Sequence, residues 1–131
     1  MTPLQITGLV CVFLAVDAVV VFAVVKYGVR EPFAKLAAKY PPTEPAHDAE
    51  SRRRQGISYG LANLGWSFTI SVDAEFVHLE PNKLARLFGG RAVSLPRGAL
   101  QRRSGGVMLT PYRIDIGEEI YLPKWVGRLV G

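Results

Sequence analysis

The sequence predicts a single N-terminal transmembrane α-helix followed by a small, mainly-β cytoplasmic domain, a barrel or sandwich, that ends in a C-terminal helix. Three observations carry this. Residues 6–25 (ITGLVCVFLAVDAVVVFAVV) hold thirteen Val, Ile, Leu or Phe in twenty positions and one ionisable side chain, Asp17. All sixteen Lys and Arg lie after Val25. Beyond Gln55, short apolar–polar alternations are separated by Gly, Pro and Asp, the pattern of strands and turns. The chain then divides into a transmembrane helix over 1–27, a juxtamembrane amphipathic helix over 28–41, a linker over 42–52 and the β domain over 53–131.

Twenty helical residues span about 30 Å, the thickness of a bilayer's hydrocarbon core. The thirteen large apolar residues contribute roughly −4 to −8 kcal/mol to insertion, and a central Asp costs roughly 2.5–3.5 kcal/mol, so insertion wins. A cleaved signal peptide is the competing explanation. It requires a basic n-region and an apolar core of about 7–15 residues. Residues 1–5 carry no Lys or Arg, the apolar run is longer, and Lys26-Tyr-Gly-Val-Arg30 comes next as a stop-transfer flank. Lys26, Arg30, Lys35 and Lys39 close to the helix end place the N-terminus outside and the rest in the cytoplasm of a bacterial inner membrane.

Two faces of the span ask for a neighbour. Gly8, Cys11, Ala15 and Ala18, spaced 3, 4 and 3, form a stripe of small residues that lets another helix approach. Gly and Ala are also common in any membrane helix. Asp17 points to nearly the opposite side, among Val10, Leu14, Val21 and Val24. An acidic group at that depth faces protein or water, or is protonated and bonded to its own helix. The expected partners are integral membrane protein subunits.

In residues 30–40, Pro32 suits a first helical turn and Pro41-Pro42 stop it. Phe33, Leu36, Ala37 and Tyr40 recur at i, i+3, i+4 and i+7, opposite Lys35 and Lys39. That pattern fits a helix lying in the membrane interface, and equally a surface that docks on the domain itself. PPTEPAHDAE (41–50) reads as an extended linker with a solvated His47. Arg52-Arg53-Arg54 comes after it, either a solvated surface or a clasp for phosphate headgroups or an acidic partner.

In the β domain, residues 57–61 open a first strand. Trp66, Phe68, Ile70 and Val72 alternate with Ser67, Thr69 and Ser71, which places the first set in the core. Asp73-Ala74 turns the chain into a strand over 75–79. A short helical turn comes next over 82–88, ended by Gly89-Gly90, then a strand over 91–95 and a turn at Pro96-Arg-Gly98. Ser104-Gly-Gly106 and Gly117-Glu118 mark two hairpins, between strands over 99–103 and 107–109 and between strands over 112–116 and 119–122. Pro123 starts the last helix, with Trp125, Val126, Leu129 and Val130 apolar. Through FTISVDAEFVHLEP, RAVSLPRGAL and PKWVGRLVG, about seventy residues, the chain resembles the PH-like (GRAM-type) domains of bacterial membrane proteins. The resemblance implies a scaffold for lipid or protein contact.

Net charge is +5 over 131 residues, in keeping with anionic lipid as a second partner, bound through Lys26, Arg30, Lys35, Lys39, Arg52, Arg53, Arg54, Arg102 and Arg103. Catalytic signatures are missing. Cys11 lies in the span, so a thiol nucleophile or Cys zinc site is excluded from the domain. His47 and His78 have no acid at a diagnostic spacing, and Gly60 to Gly65 lacks the P-loop lysine. Asp73, Glu75 and Glu80 lack EF-hand spacing, and Asp115, Glu118 and Glu119 are ordinary hairpin acids. No metal, cofactor or nucleic acid is expected. The function predicted is a non-catalytic accessory subunit of a larger membrane complex, of the kind found in bacterial photosynthetic and respiratory assemblies. A membrane-anchored, lipid-binding PH-like module is the alternative.

Overall fold

The computed structural model describes residues 2–59, 62–103, 109–114 and 119–130, with 62–64 followed as backbone. Helix α1 (Pro3–Val25) is capped by Thr2, whose hydroxyl accepts from the Gln5 amide at 3.2 Å while the Gln5 side chain accepts from the Thr2 amide at 3.0 Å. This reciprocal pair satisfies two donors that a helix start otherwise leaves orphaned. No residue of α1 is buried within the chain. A π-helical turn (Lys26–Arg30) and helix α2 (Glu31–Lys39) continue from it without a break. One helix of 37 residues therefore runs from Pro3 to Lys39, and its apolar part is long enough to cross a membrane.

Helix α2 docks on the β domain. A π turn takes in one residue more than an α turn and so rotates the α2 side chains about the helix axis relative to those of α1. Gly28 and Val29 are buried there. Val29, Phe33, Leu36 and Tyr40 form one buried row within the core. The Phe33 ring stacks on Phe68, 5.8 Å between centroids, and meets Tyr59 edge-on at 5.4 Å. The apolar face that also fitted a membrane interface is thus inside the domain, and Lys35 and Lys39 face outward. The core begins at Val29, well before residue 53.

Seven antiparallel strands make one sheet: β1 (Glu50–Tyr59), β2 (Ala62–Val72), β3 (Phe76–Pro81), β4 (Val93–Pro96), β5 (Leu100–Arg102), β6 (Leu109–Ile114) and β7 (Glu119–Pro123). Their order is β4-β3-β2-β1-β7-β6-β5. The two edge strands, β4 and β5, are joined by a single 3-10 turn, Arg97–Ala99, so the sheet curls until its edges approach in a near-barrel. Helix α3 (Lys83–Leu87) links β3 to β4, and α4 (Lys124–Val130) ends the described chain. Ile57, Ile70, Leu79, Leu95, Ile120 and Leu122 fill the interior together with Phe33 and Phe68. The α4 residues Trp125 and Val126 join them, and the Trp125 indole donates to the Gln55 side chain at 2.9 Å.

Trp66 departs from its expected place. Phe68, Ile70 and Val72 are buried as their alternation requires, but Trp66 is 79% exposed. The β1–β2 register shifts between Arg52 and Gln55 and again between Gln55 and Ile57. Arg54 and Trp66 sit at these irregularities with φ of 55° and 56°. A bulge breaks the period of two, so residues beyond it change face. The expected strands over 107–109 and 112–116 are replaced by one strand, β6, pairing with both β5 and β7. The turns at 104–106 and 117–118 lie outside the described residues, as do Asp115, Glu118 and Gly60.

The expected linker is extended but bound. Ser94 N–H donates to the Tyr40 carbonyl at 3.3 Å, Thr43 N–H to Ser94 Oγ at 2.8 Å, and Ala46 N–H to Asp73 Oδ2 at 3.2 Å. Residues 40–46 therefore strap the outer side of edge strand β4, where unpaired backbone groups would invite another chain.

Candidate functional site

Where the long helix enters the barrel, it meets α3 and forms a collar. Asn82 caps α3 by accepting from the Ala85 amide at 2.9 Å, and its own amide donates to the Trp66 carbonyl at 3.3 Å. Trp66 is therefore held at the start of α3. At the other end, Gly89 has φ of 99°, and a Cβ there would overlap the Arg30 side chain. Glycine admits both the left-handed backbone and the close approach of the long helix.

The exposed apolar surface gathers here. Setting aside α1 and Tyr27 beside it, the large apolar side chains exposed among the described residues are Trp66, Leu84, Leu87, Phe88 and Leu129. All but Leu129 belong to the collar. Leu84, Leu87 and Phe88 stand at i, i+3 and i+4, so they share one face of α3. A groove of about 770 Å³ runs between α1 and α3, with apolar walls toward the span and Lys26, Arg30, Glu31 and Arg91 at the barrel end.

The residues singled out in the sequence are dispersed. Gly8, Cys11, Ala15 and Ala18 are exposed along α1, and a Cβ on Gly8 meets nothing within 4 Å. Asp17 is exposed and reaches the deep end of the groove. Lys26 and Arg30 belong to the collar; Lys39 lies over the Tyr40 ring at 5.6 Å. Arg52 is stacked 4.7 Å over the Trp125 ring and 3.2 Å from Glu50, so it is committed to the domain surface. Arg53 and Arg54 on β1 are separated in the sheet from Arg102 and Arg103, on and just after β5, by β7 and β6. They do not form one patch. Sequence reasoning missed the exposed face of α3 and Arg91 as parts of a site. Their signal was the i, i+3, i+4 apolar triplet flanked by Lys83, Arg86 and Arg91.

A second polar cluster joins His78, a strand residue, to an acid and a hydroxyl that its sequence spacing did not connect. His78 Nε2 lies 2.8 Å from Asp73 Oδ2, and Nδ1 lies 2.7 Å from Ser94 Oγ. His78 and Ser94 face each other across β3 and β4. Burial alone would raise the Asp73 pKa. Hydrogen bonds from His78 and from the Phe76, Glu75 and Ala46 amides outweigh it and hold the carboxyl well below the usual carboxylate range. With a neutral ring, the Ser94 hydroxyl donates to Nδ1. The same hydroxyl oxygen lies 3.5 Å from the Thr43 carbonyl. The connectivity is that of a Ser–His–Asp triad. Ser94, however, is 2% exposed and its oxygen already accepts from Thr43. What this arrangement can do is lock the strap to the sheet. Of the three acids near the β2–β3 turn, Asp73 turns inward to His78 while Glu80 lies 3.9 Å from Arg86, and no metal-holding group of His, Cys, Asp and Glu occurs among the described residues.

The fold and collar define a class: a near-barrel β domain cast onto the end of a helix long enough to span a membrane. No family model, curated protein or solved structure matches the chain.

Proposed function

We propose that the protein is a non-catalytic, single-pass accessory subunit of a bacterial membrane complex. Its N-terminus lies outside, and its near-barrel domain rests on the cytoplasmic leaflet of the inner membrane. The observation that carries this reading is α1, which exposes apolar side chains along its length, carries Asp17, and has no residue buried by the described part of the chain. A partner helix packed on that surface fixes the barrel as well, because the same helix continues into the barrel core at Phe33 and Leu36. Bracing an assembly across the membrane surface needs such a rigid link.

Purification from the native membrane in mild detergent tests the proposal. The protein should co-migrate with integral subunits, and Asp17→Ala should insert equally well yet retain less of them. Asp17→Asn should keep the association if a protonated carboxyl is what the partner binds. A wild-type protein that elutes alone contradicts the proposal. A second reading, a PH-like module for anionic headgroups, draws support from the strand order, the closing helix α4 and the basic collar. A monomer that binds anionic vesicles favours it.

A further inference from the structure

We infer that the groove between α1 and α3 holds one phospholipid of the surrounding leaflet. Its phosphate lies against Lys26, Arg30 and Arg91, and one acyl chain runs along Val25, Phe22, Val21 and Ala18. The inference rests on α1 spanning a membrane. Three features of the groove match such a ligand and no uniformly apolar one.

The first is polarity. The span-side wall is apolar, and the barrel end carries three cations against Glu31 alone. A phospholipid has this same order, tail then phosphate, and the arginine guanidinium offers paired donors to phosphate oxygens. The second is length. Ala18 lies eight residues from Lys26, about 12 Å along the helix, which approaches the half-thickness of about 15 Å that one leaflet's chains occupy. The third is the second wall. Leu87 and Phe88 face the groove from α3, so a chain lying in it is covered on two sides, unlike a lipid merely touching the helix. The volume of about 770 Å³ lies within the range of small-molecule sites. A partner's transmembrane helix fits less well, because the barrel and its cations close the groove at the membrane surface.

The full chain is reconstituted in phosphatidylcholine vesicles containing phosphatidylglycerol, extracted in mild detergent and weighed by native mass spectrometry. Wild type should retain one phosphatidylglycerol. Lys26→Gln with Arg91→Gln should lower the retained fraction roughly tenfold or more. Val21→Trp fills the groove without touching its charges and should also displace the lipid. Arg30 is left unchanged because it packs on Gly89, and matching melting curves establish that the variants remain folded. Retention that is unaffected by both variants overturns the site, as does a second protein chain found in place of the lipid. Flotation separates the groove from the span. A chain that leaves the vesicles in alkaline carbonate refutes the membrane span, whereas a chain that floats yet holds no phosphatidylglycerol refutes the groove alone.

Discussion

Helices α1 and α2 are two stretches of one continuous helix with opposite fates. The first buries none of its residues within the chain; the second, nine residues long, buries Phe33 and Leu36 completely. The difference is written in their patterns. Residues 6–25 are apolar all round, which suits a solvent that is itself apolar, while 31–39 are apolar on one face and charged on the other. The same backbone thus carries two patterns, one apolar on every side and one fitted to a protein core, and the π turn at Lys26–Arg30 is where one gives way to the other. Continuity makes the link rigid: whatever fixes α1 orients the barrel.

The sharpest way to break this comparison is to cut the same ring from each half. Phe33→Ala should cost about 3–5 kcal/mol of barrel stability, read as a lowered melting temperature in detergent. Phe13→Ala on α1 should leave that transition in place, because its ring touches no part of the barrel core. Equal losses would show that α1 supports the barrel as much as α2 does, and no loss from Phe33→Ala would show that α2 is not part of the core. Next in size is Gly89→Ala, which forces an L side chain into a left-handed backbone and against Arg30. About 1–3 kcal/mol should be lost, with α3 loosened from the long helix in hydrogen exchange.

Asp73→Asn tests the strap and should cost about 1–2 kcal/mol. Because the folded carboxyl titrates below its unfolded value, its contribution is complete above about pH 4 and disappears as the pH falls through the folded value. Wild type should therefore lose stability in acid more steeply than Asp73→Asn, and parallel acid melts would contradict the assignment. Smallest of all, Leu87→Ser at an exposed position should change the melting free energy by no more than about 0.5 kcal/mol. A large loss would mean that α3 is covered by the domain itself.

Much of the architecture was legible in local pattern. The long apolar helix, the strand–turn–strand sequence over 68–79, the helical turn after Asn82 with its Gly89 terminus, and the closing helix each depend on periodicity or on a residue with special backbone freedom. The features that were not legible depend on register or on distance along the chain. Trp66 fits its alternation and still faces outward, since the bulge at Trp66 itself, between the Phe68 and Leu64 pairings, leaves no mark in the apolar–polar pattern. The apolar face of α2 matched a membrane and a protein core equally well. His78 and Ser94 meet only because β3 and β4 pair in one register. The collar joins Arg30 to Gly89 and Arg91, partners some sixty residues apart that no short motif connects.

The central claim is that the α3 face of the barrel lies in the membrane surface beside α1. Electron paramagnetic resonance tests it most directly. In full-length protein carrying Cys11→Ser, single cysteines are placed at Leu87 and at Gln101, spin-labelled and reconstituted in vesicles. A label at position 87 should be reached by oxygen dissolved in the bilayer and shielded from a water-soluble nickel chelate, and one at the exposed position 101 on β5 should show the reverse. If the label at 87 is as open to the aqueous reagent as the label at 101, the barrel stands clear of the membrane and the collar is not a membrane contact.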